Sequence, residues 1–143
     1  MTLSRPKRHT DKTGDISEAA TIARLLQSGY MVLTPYGKNH RYDLVIEDAD
    51  GGFWRIQCKT GWTDEEQTVI TFATASSYNH TTKQKGWRHY RGQCDYFAVY
   101  CEQLNKVYLV PVDAVGLTEA KLRLVPTKNG QEKHIRWAQD YEL

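Results

Sequence analysis

A five-residue turn signal, Asp48-Ala-Asp-Gly-Gly52, separates two runs that are rich in β-branched and aromatic residues. Acidic residues followed by glycine between two such runs predict a β-hairpin, with strands over residues 42–47 and 53–60. The turn is centred at residues 50–51, which sets Asp43 opposite either Gln57 or Lys59 across the hairpin. In both registers the three side chains lie together at the end of the hairpin that is far from the turn.

Strand alternation sorts the hairpin side chains onto two faces. Gln57 and Lys59 share one face with Arg55 and Phe53, and the intervening residues take the other face. A carboxylate, an amide and an ammonium therefore gather at one edge of an apolar hairpin. Aspartate and lysine are costly to bury unless they are paired or bound to a metal, so this cluster is a candidate functional site.

A helix is predicted before the hairpin, from about Asp15 to Ser28, with Gly29 as its end. Asp15-Ile-Ser-Glu18 matches a capping box. The apolar face is expected to contain Ile16, Ala19, Ala20, Ile22, Ala23, Leu25 and Leu26, and the polar face Ser17, Thr21, Arg24 and Ser28. Glu18 lies at the edge of the apolar face, so it either points toward the sheet or closes the capping box.

The remaining chain reads mainly as strands, at residues 30–34, 68–74, 95–101, 106–110 and 122–125. Residues 76–92 fit either a helix or a long basic loop, a short helical turn is expected after Pro111, and residues 131–141 fit a short amphipathic helix. We therefore predict an α+β fold in which the N-terminal helix packs on a mixed, mostly antiparallel central sheet. A length of 143 residues with a 40% hydrophobic share predicts a basic N-terminal arm, residues 1–12, and a single domain, residues 13–143.

Several features limit where the protein can act. No apolar run approaches the roughly 20 residues of a membrane span, and no hydrophobic segment follows the basic start, so we expect a cytoplasmic or nucleoid-associated protein of a prokaryotic or phage-infected cell. The three cysteines, Cys58, Cys94 and Cys101, are odd in number and match no zinc spacing. They are predicted to be free thiols.

Charge is distributed unevenly along the chain although the formal net charge is only +2. Residues 1–12 are basic with no acid before Asp11, and residues 80–91 are basic with no acid at all. Separated basic blocks can form a nucleic-acid-binding face; the alternative is a solvated loop. The candidate DNA contacts are Arg5, Lys7, Arg8, Lys83, Lys85, Trp87, Arg88 and Arg91.

The cluster around Asp43 has the residue types that phosphodiester hydrolysis uses. A hard divalent cation such as Mg²⁺ or Mn²⁺ prefers oxygen ligands, which the carboxylates of Asp43 and Glu18 and the amide of Gln57 supply. A nearby lysine such as Lys59 can orient or deprotonate the attacking water, or stabilise developing charge. The alternative interpretation is an ordinary cross-strand ion pair between Asp43 and Lys59.

Four segments together resemble the PD-(D/E)XK nuclease superfamily: Gly14-Asp-Ile-Ser-Glu18, Pro35-Tyr-Gly37, Tyr42-Asp43-Leu-Val45 and Arg55-Ile-Gln57-Cys-Lys59-Thr60. The sequence is most similar to the branch of group I intron-encoded homing endonucleases, in which glutamine takes the second acidic position. The resemblance implies an αβββαβ restriction-endonuclease-like core. It also implies the catalytic set Glu18, Asp43, Gln57 and Lys59, with Asp43, Gln57 and Glu18 as ligands of Mg²⁺ or Mn²⁺.

The function predicted from the sequence is a metal-dependent, site-specific endonuclease that acts on double-stranded or branched DNA. Cleavage of both strands by one small domain implies a homodimer or homotetramer. One alternative is a Holliday-junction resolvase or another structure-specific nuclease of the same fold. Another is a catalytically inactive DNA-binding module, because Gln57 removes one negative charge from the site.

Overall fold

The computed structural model describes residues 2–81 and 84–143, and it describes their side chains except at 77–81 and 84–87. Its helix α1 covers Thr13–Gln27. The strands are β1 (Met31–Leu33), β2 (Leu44–Glu47), β3 (Phe53–Thr63), β4 (Val69–Ala73), β5 (Ala75–Thr81), β6 (Gln84–His89), β7 (Tyr96–Cys101), β8 (Lys106–Pro111) and β9 (Glu119–Arg123). Short 3-10 turns lie at Thr10–Lys12, Val112–Ala114 and Ala138–Asp140, and the second of these is the helical turn expected after Pro111.

One mixed sheet forms the centre of the molecule. Its strand order is β1-β2-β3-β4-β9, with β7 paired to β3 and β8 paired to β7. The β3–β7 pair is parallel, from Ile56 to Gly61 on β3, and the other described pairs are antiparallel. The helix α1 packs against β3 and β7. The predicted α+β class, with an N-terminal helix on a mixed, mostly antiparallel sheet, is confirmed.

The connection between the parallel strands differs from the αβββαβ order. A parallel pair needs a long crossover, and the crossover from β3 to β7 runs through β4 and the separate hairpin β5–β6. Within residues 2–81 and 84–143, α1 is the only α-helix. The expectation of a helix or basic loop over residues 76–92 is therefore wrong for the described part of that segment, because its backbone pairs with itself from Ala75↔His89 onward.

The ends of α1 show one wrong and one correct prediction. The 3-10 turn over residues 10–12 runs directly into the helix, so Lys12 takes the N-cap position and no side chain caps the helix. The predicted Asp15–Glu18 capping box is therefore wrong, and Asp15 lies inside the first turn, where negative charge is favourable. At the other end Gly29 has φ +93, and Gly29 and Tyr30 donate to the carbonyls of the last turn at 3.0 and 3.1 Å, as in a Schellman motif.

The face that α1 turns to the sheet is also not the expected one. Ser17, Thr21 and Leu25 are the buried stripe of the helix, whereas Leu26 is 56% exposed. Small hydroxyl residues let the helix backbone come close to β3. The buried Ser17 hydroxyl finds a hydrogen-bond partner in the Thr60 hydroxyl, at 2.6 Å. The half-buried Glu18 lies at the edge of this stripe.

The hairpin register agrees with the first of the two predicted alternatives. Leu44 pairs with Ile56, and Asp43, which precedes β2, donates its N–H to the Ile56 carbonyl. The Asp48 carboxylate holds the turn by accepting hydrogen bonds from the backbone N–H groups of Asp50 and Gly52 and from the Trp54 indole, at 2.8 to 3.0 Å. The turn is thus determined by its own residues.

Two apolar clusters cover the two faces of the sheet. The first lies under α1 and contains Leu25, Leu44, Ile46, Ile56, Ala98 and Val107. The second lies on the opposite face and includes Phe72, Tyr90, Phe97, Val99, Tyr108 and Leu122. Gly61 lies on β3 where β4 and β7 both approach it, and a Cβ there would stand 2.8 Å from side-chain atoms of Ile70 and Val99.

The C-terminal segment does not form the amphipathic helix expected for residues 131–141. Its backbone instead pairs with strand edges: Arg123 donates to the Arg136 carbonyl at 2.7 Å, and Leu109 donates to the Tyr141 carbonyl at 2.8 Å. Backbone groups that bond to the sheet cannot also form the hydrogen bonds of a helix.

Cys58, Cys94 and Cys101 are free, as predicted. None of the helices in the described residues is long and apolar enough to cross a membrane.

Asp95 joins the start of β7 to β3 and provides a test of the fold. Its carboxylate accepts the Arg55 backbone N–H at 2.7 Å and two guanidinium hydrogen bonds at 3.1 Å. These side-chain hydrogen bonds hold the pKa of Asp95 below its ordinary value. The resulting stabilisation of the folded state is fully present at pH values above the ordinary pKa of aspartate. It is lost as the pH falls through the lower pKa of the folded state.

We expect Asp95→Asn to lower the free energy of unfolding at pH 7 by about 1 kcal/mol. The difference from the wild type should shrink as the pH falls below about 4, where the wild-type carboxylate also becomes protonated. Urea unfolding at a series of pH values measures it, with Asp113→Asn, an exposed carboxylate of the turn after β8, as the control. A pH-independent difference would contradict this prediction.

Candidate active site

Asp43 stands immediately before β2 and is held against β3 by two hydrogen bonds. Its N–H donates to the Ile56 carbonyl at 2.9 Å, and its Oδ2 accepts the Cys58 N–H at 2.8 Å. Burial raises the pKa of the Asp43 carboxyl, although the Cys58 N–H and the charge of Lys59 oppose that shift. The carboxylate is thus fixed in orientation and partly removed from water.

Glu18 reaches the same cavity from α1. The cavity has a volume of about 290 Å³ and is lined by Glu18, Thr34, Pro35, Gly37, Lys38, Asn39, His40, Tyr42 and Asp43. Burial raises the pKa of Glu18, and the negative charges of Asp43 and Asp15 raise it further. Two carboxylates therefore repel each other across one cavity, which is the electrostatic situation that a bound cation relieves.

Gln57 and Lys59 follow on β3, on the face opposite α1. The Lys59 ammonium donates at 3.4 Å to both the Ala75 carbonyl and the Tyr90 hydroxyl, and it lies 4.6 Å from the centroid of the Tyr90 ring. Among the ion pairs of the described residues, none joins Lys59 to Asp43. The ordinary cross-strand ion pair is therefore not what the structure shows.

The oxygen atoms around Asp43 fit a hard divalent cation. The Asp43 and Glu18 carboxylates line the cavity and would supply the charge, whereas Gln57 is not among the residues that line it and lies on β3 next to Ile56, the partner of Leu44. Residues 2–81 and 84–143 contain no group of three or more His, Cys, Asp or Glu side chains placed to hold a metal. The structure brings together the two carboxylates of Glu18 and Asp43, and Gln57 stays a predicted ligand.

A loop that sequence reasoning assigned no role, residues 34–42, forms one wall of the cavity. Lys38 and Arg41 give it positive charge, and the side chain of Tyr36 is fully exposed, at 101%. Gly37 and Asn39 both have positive φ, 92° and 65°, which gives the loop a tight path. The sequence feature that could have indicated this loop is the segment 38–41, which contains three basic residues and no acid and ends two residues before Asp43.

Arg41 ties this loop to the base of the β5–β6 hairpin. Its guanidinium carbon lies 4.0 Å from the centroid of the Tyr90 ring. Its nitrogens donate to Gln93 Oε1 at 2.6 Å, to Ser76 Oγ at 2.8 Å, and to the carbonyls of His89 at 2.7 Å and Arg88 at 3.3 Å. Arg41, two residues before Asp43 in the sequence, thus holds the base of the β5–β6 hairpin.

The predicted DNA contacts are in different situations. Arg5, Lys7 and Arg88 are exposed, Arg8 pairs with Glu102 at 2.6 Å, and Arg91 donates to the Val115 carbonyl at 2.9 Å. Lys83 lies outside the described residues, as do the side chains of Lys85 and Trp87, whose backbones belong to β6. Of the basic block at residues 80–91, the structure therefore describes Arg88 as an exposed cation on the hairpin.

Two comparisons with known proteins agree with this geometry. A family model described as PD-(D/E)XK endonuclease matches residues 8–143. The solved structure of a bacterial homing endonuclease, I-Ssp6803I, is similar to the chain with a TM-score of 0.71 and 30% sequence identity, over 94% of this chain and 89% of that chain. A comparison with curated proteins gives no match.

Proposed function

Because the chain belongs to the PD-(D/E)XK endonuclease family, we propose that it is a metal-dependent DNA endonuclease whose active site is the Asp43 cavity. The observation that carries this proposal is the placement of Asp43 with Glu18 in one cavity, with the Asp43 carboxylate hydrogen-bonded to the N–H of Cys58, which lies between Gln57 and Lys59 on β3. These are the residue types and the strand positions that metal-assisted phosphodiester hydrolysis requires.

Each of the four residues has a distinct role in this proposal. Asp43, Glu18 and Gln57 would hold Mg²⁺ or Mn²⁺ through their oxygen atoms. A divalent cation bound there would polarise the scissile phosphate and lower the pKa of a water molecule. Lys59 has three N–H donors; Ala75 and Tyr90 accept two of them, and the third can reach a water or a phosphate oxygen.

The substrate that we propose is double-stranded DNA cleaved at a specific site. The similar solved structure is that of a homing endonuclease, which supports specificity for a sequence over specificity for a branch. A single Asp43 cavity acts on one strand, so cleavage of both strands requires a second copy, in a homodimer or a homotetramer.

The hairpin β5–β6, residues 75–89, is the proposed DNA-binding element. A two-stranded β-ribbon fits into the major groove, and the sequence of this hairpin supplies Lys83, Lys85 and Arg88 with no acid among residues 80–91. The loop at residues 34–42 adds positive charge at the mouth of the cavity. Together they offer the DNA backbone two basic elements, which Arg41 of the loop connects through its hydrogen bonds to Ser76 and His89.

Cleavage of a plasmid library with randomised inserts, in the presence of Mg²⁺ or Mn²⁺, tests the proposed function. We expect linearised plasmids that share one recovered sequence, and no linearisation when EDTA is added. A four-way junction and its matched linear duplex are tested in parallel. Preferential cutting of the junction would replace site specificity with branch specificity, and no cutting of any substrate with either metal would contradict the proposal.

Salt dependence tests the hairpin as a DNA contact. Replacing Lys83, Lys85 and Arg88 by alanine should weaken binding of the recovered duplex and flatten the slope of log affinity against log salt by about one unit per lost phosphate contact. Arg91 is kept, because it donates to the Val115 carbonyl. Lys128→Ala, an exposed lysine of a distant loop, is the matched control, and an unchanged slope in the triple variant would reject the hairpin.

A further inference from the structure

The Lys59 ammonium is held by the two ends of the β5–β6 hairpin. Ala75 is the first residue of β5 and Tyr90 follows the last residue of β6, and the hairpin closes there through the pair Ala75↔His89. The Ala75 carbonyl and the Tyr90 hydroxyl each lie 3.4 Å from Lys59 Nζ. The hairpin proposed to bind DNA is therefore in direct contact with the ammonium of Lys59, the proposed catalytic group.

Tyr90 is itself rigidly placed. It is only 4% exposed, and its ring packs edge-to-face on Phe97 with centroids 5.6 Å apart. Its carbonyl accepts the N–H groups of Gln93 and Cys94 at 3.0 and 3.1 Å. A lysine side chain has four flexible carbons, so a fixed aromatic hydroxyl and ring restrict where its ammonium can lie.

Arg41, from the loop at residues 34–42, also contacts the Tyr90 ring. It lies 4.0 Å from the Tyr90 centroid and its hydrogen bonds to Ser76, Arg88 and His89 join it to both strands of the hairpin. It also stands two residues before Asp43. One ring is therefore in contact with the residue that leads into Asp43 and with the ammonium of Lys59.

From these contacts we propose that Tyr90 is a positioning residue for Lys59. We also propose that Tyr90 and Arg41 hold the hairpin in a fixed position relative to the active site. The inference rests on the proposed endonuclease function and adds to it a residue outside the motif. DNA held by the hairpin is then aligned with Lys59 through two contacts at the hairpin base. Loss of the Tyr90 hydroxyl is expected to free the ammonium to move while the ring keeps its packing on Phe97.

Single-turnover cleavage of the recovered duplex by Tyr90→Phe tests the inference, with the dissociation constant for DNA and the thermal melt measured on the same samples. We expect a cleavage rate roughly tenfold to a hundredfold lower, since a displacement of about 1 Å can cost that much, with DNA affinity close to that of the wild type. Tyr108→Phe is the matched control, because Tyr108 is buried in the same apolar cluster and lies on β8; it should cut at the wild-type rate.

A second variant keeps the inference testable if Tyr90→Phe does not fold. Arg41→Lys retains the charge but loses the planar fork that bonds Ser76 and His89, and it should slow cleavage more than it weakens binding. Wild-type cleavage rates in whichever of the two variants folds, or an equal loss in Tyr108→Phe, would overturn the inference alone. A wild-type protein that cuts no substrate would instead overturn the proposed function on which it rests.

Discussion

Asp43→Ala is expected to abolish cleavage while DNA affinity remains close to that of the wild type. Asp43 is the half-buried carboxylate of the cavity, held in orientation by the Cys58 N–H. If Asp43 holds the metal as proposed, its loss should cost several kcal/mol of transition-state stabilisation, and about 4 kcal/mol corresponds to a loss of roughly 10³-fold in rate. Single-turnover cleavage of the recovered duplex with saturating Mg²⁺ measures the loss.

Two further variants separate the lost charge from a lost fold. Asp43→Asn keeps an oxygen that can accept the Cys58 N–H but removes the negative charge, so it should melt near the wild-type temperature and still fail to cut. Asp50→Ala changes an exposed aspartate of the β2–β3 turn and should cut normally. Normal cleavage by Asp43→Ala would show that the active site lies elsewhere.

Lys59→Met is expected to leave a folded, DNA-binding protein that scarcely cuts. Methionine keeps much of the aliphatic stem and removes only the ammonium and its donors. If Lys59 orients or deprotonates the attacking water, its loss removes a factor of roughly 10² to 10⁴ in rate. Cleavage and thermal unfolding are measured on the same preparation.

A structural role for Lys59 makes the opposite prediction, and a second lysine provides the comparison. Lys106 forms a partly exposed ion pair with Glu142 at 2.8 Å, so Lys106→Met should cost at most about 1 kcal/mol of stability and no cleavage rate. Lys59→Met behaving like Lys106→Met, with near-normal cleavage and a lowered melting temperature, would show that Lys59 is a structural residue.

The parts of the fold that sequence predicted correctly are those determined by neighbouring residues. The β2–β3 turn is held by the carboxylate of Asp48 within the turn itself, and that local geometry sets the register that pairs Leu44, the neighbour of Asp43, with Ile56. Gly29 ends α1 because its backbone can adopt positive φ. The strand register beside the candidate site follows from the first of these two features.

The elements that were predicted wrongly depend on partners far away in the chain. Ser17 and Thr21 face the sheet because small side chains let α1 approach Thr60 on β3, although their polarity alone places them in water. The C-terminal segment gives its backbone hydrogen bonds to β8 and β9 instead of to a helix. Neither outcome can be read from periodicity, because hydrogen bonds and close packing across the sheet outweigh local preference.

The active site itself divides in the same way. Residue types and strand alternation predicted that Asp43, Gln57 and Lys59 share one edge of the hairpin. The tertiary structure alone decided what surrounds them: the loop at residues 34–42 that walls the cavity, and the hairpin base that holds Lys59 through Ala75 and Tyr90. Lys59 is 16 residues from Ala75 and 31 residues from Tyr90, and only the packing of the crossover against β3 brings them within hydrogen-bonding distance.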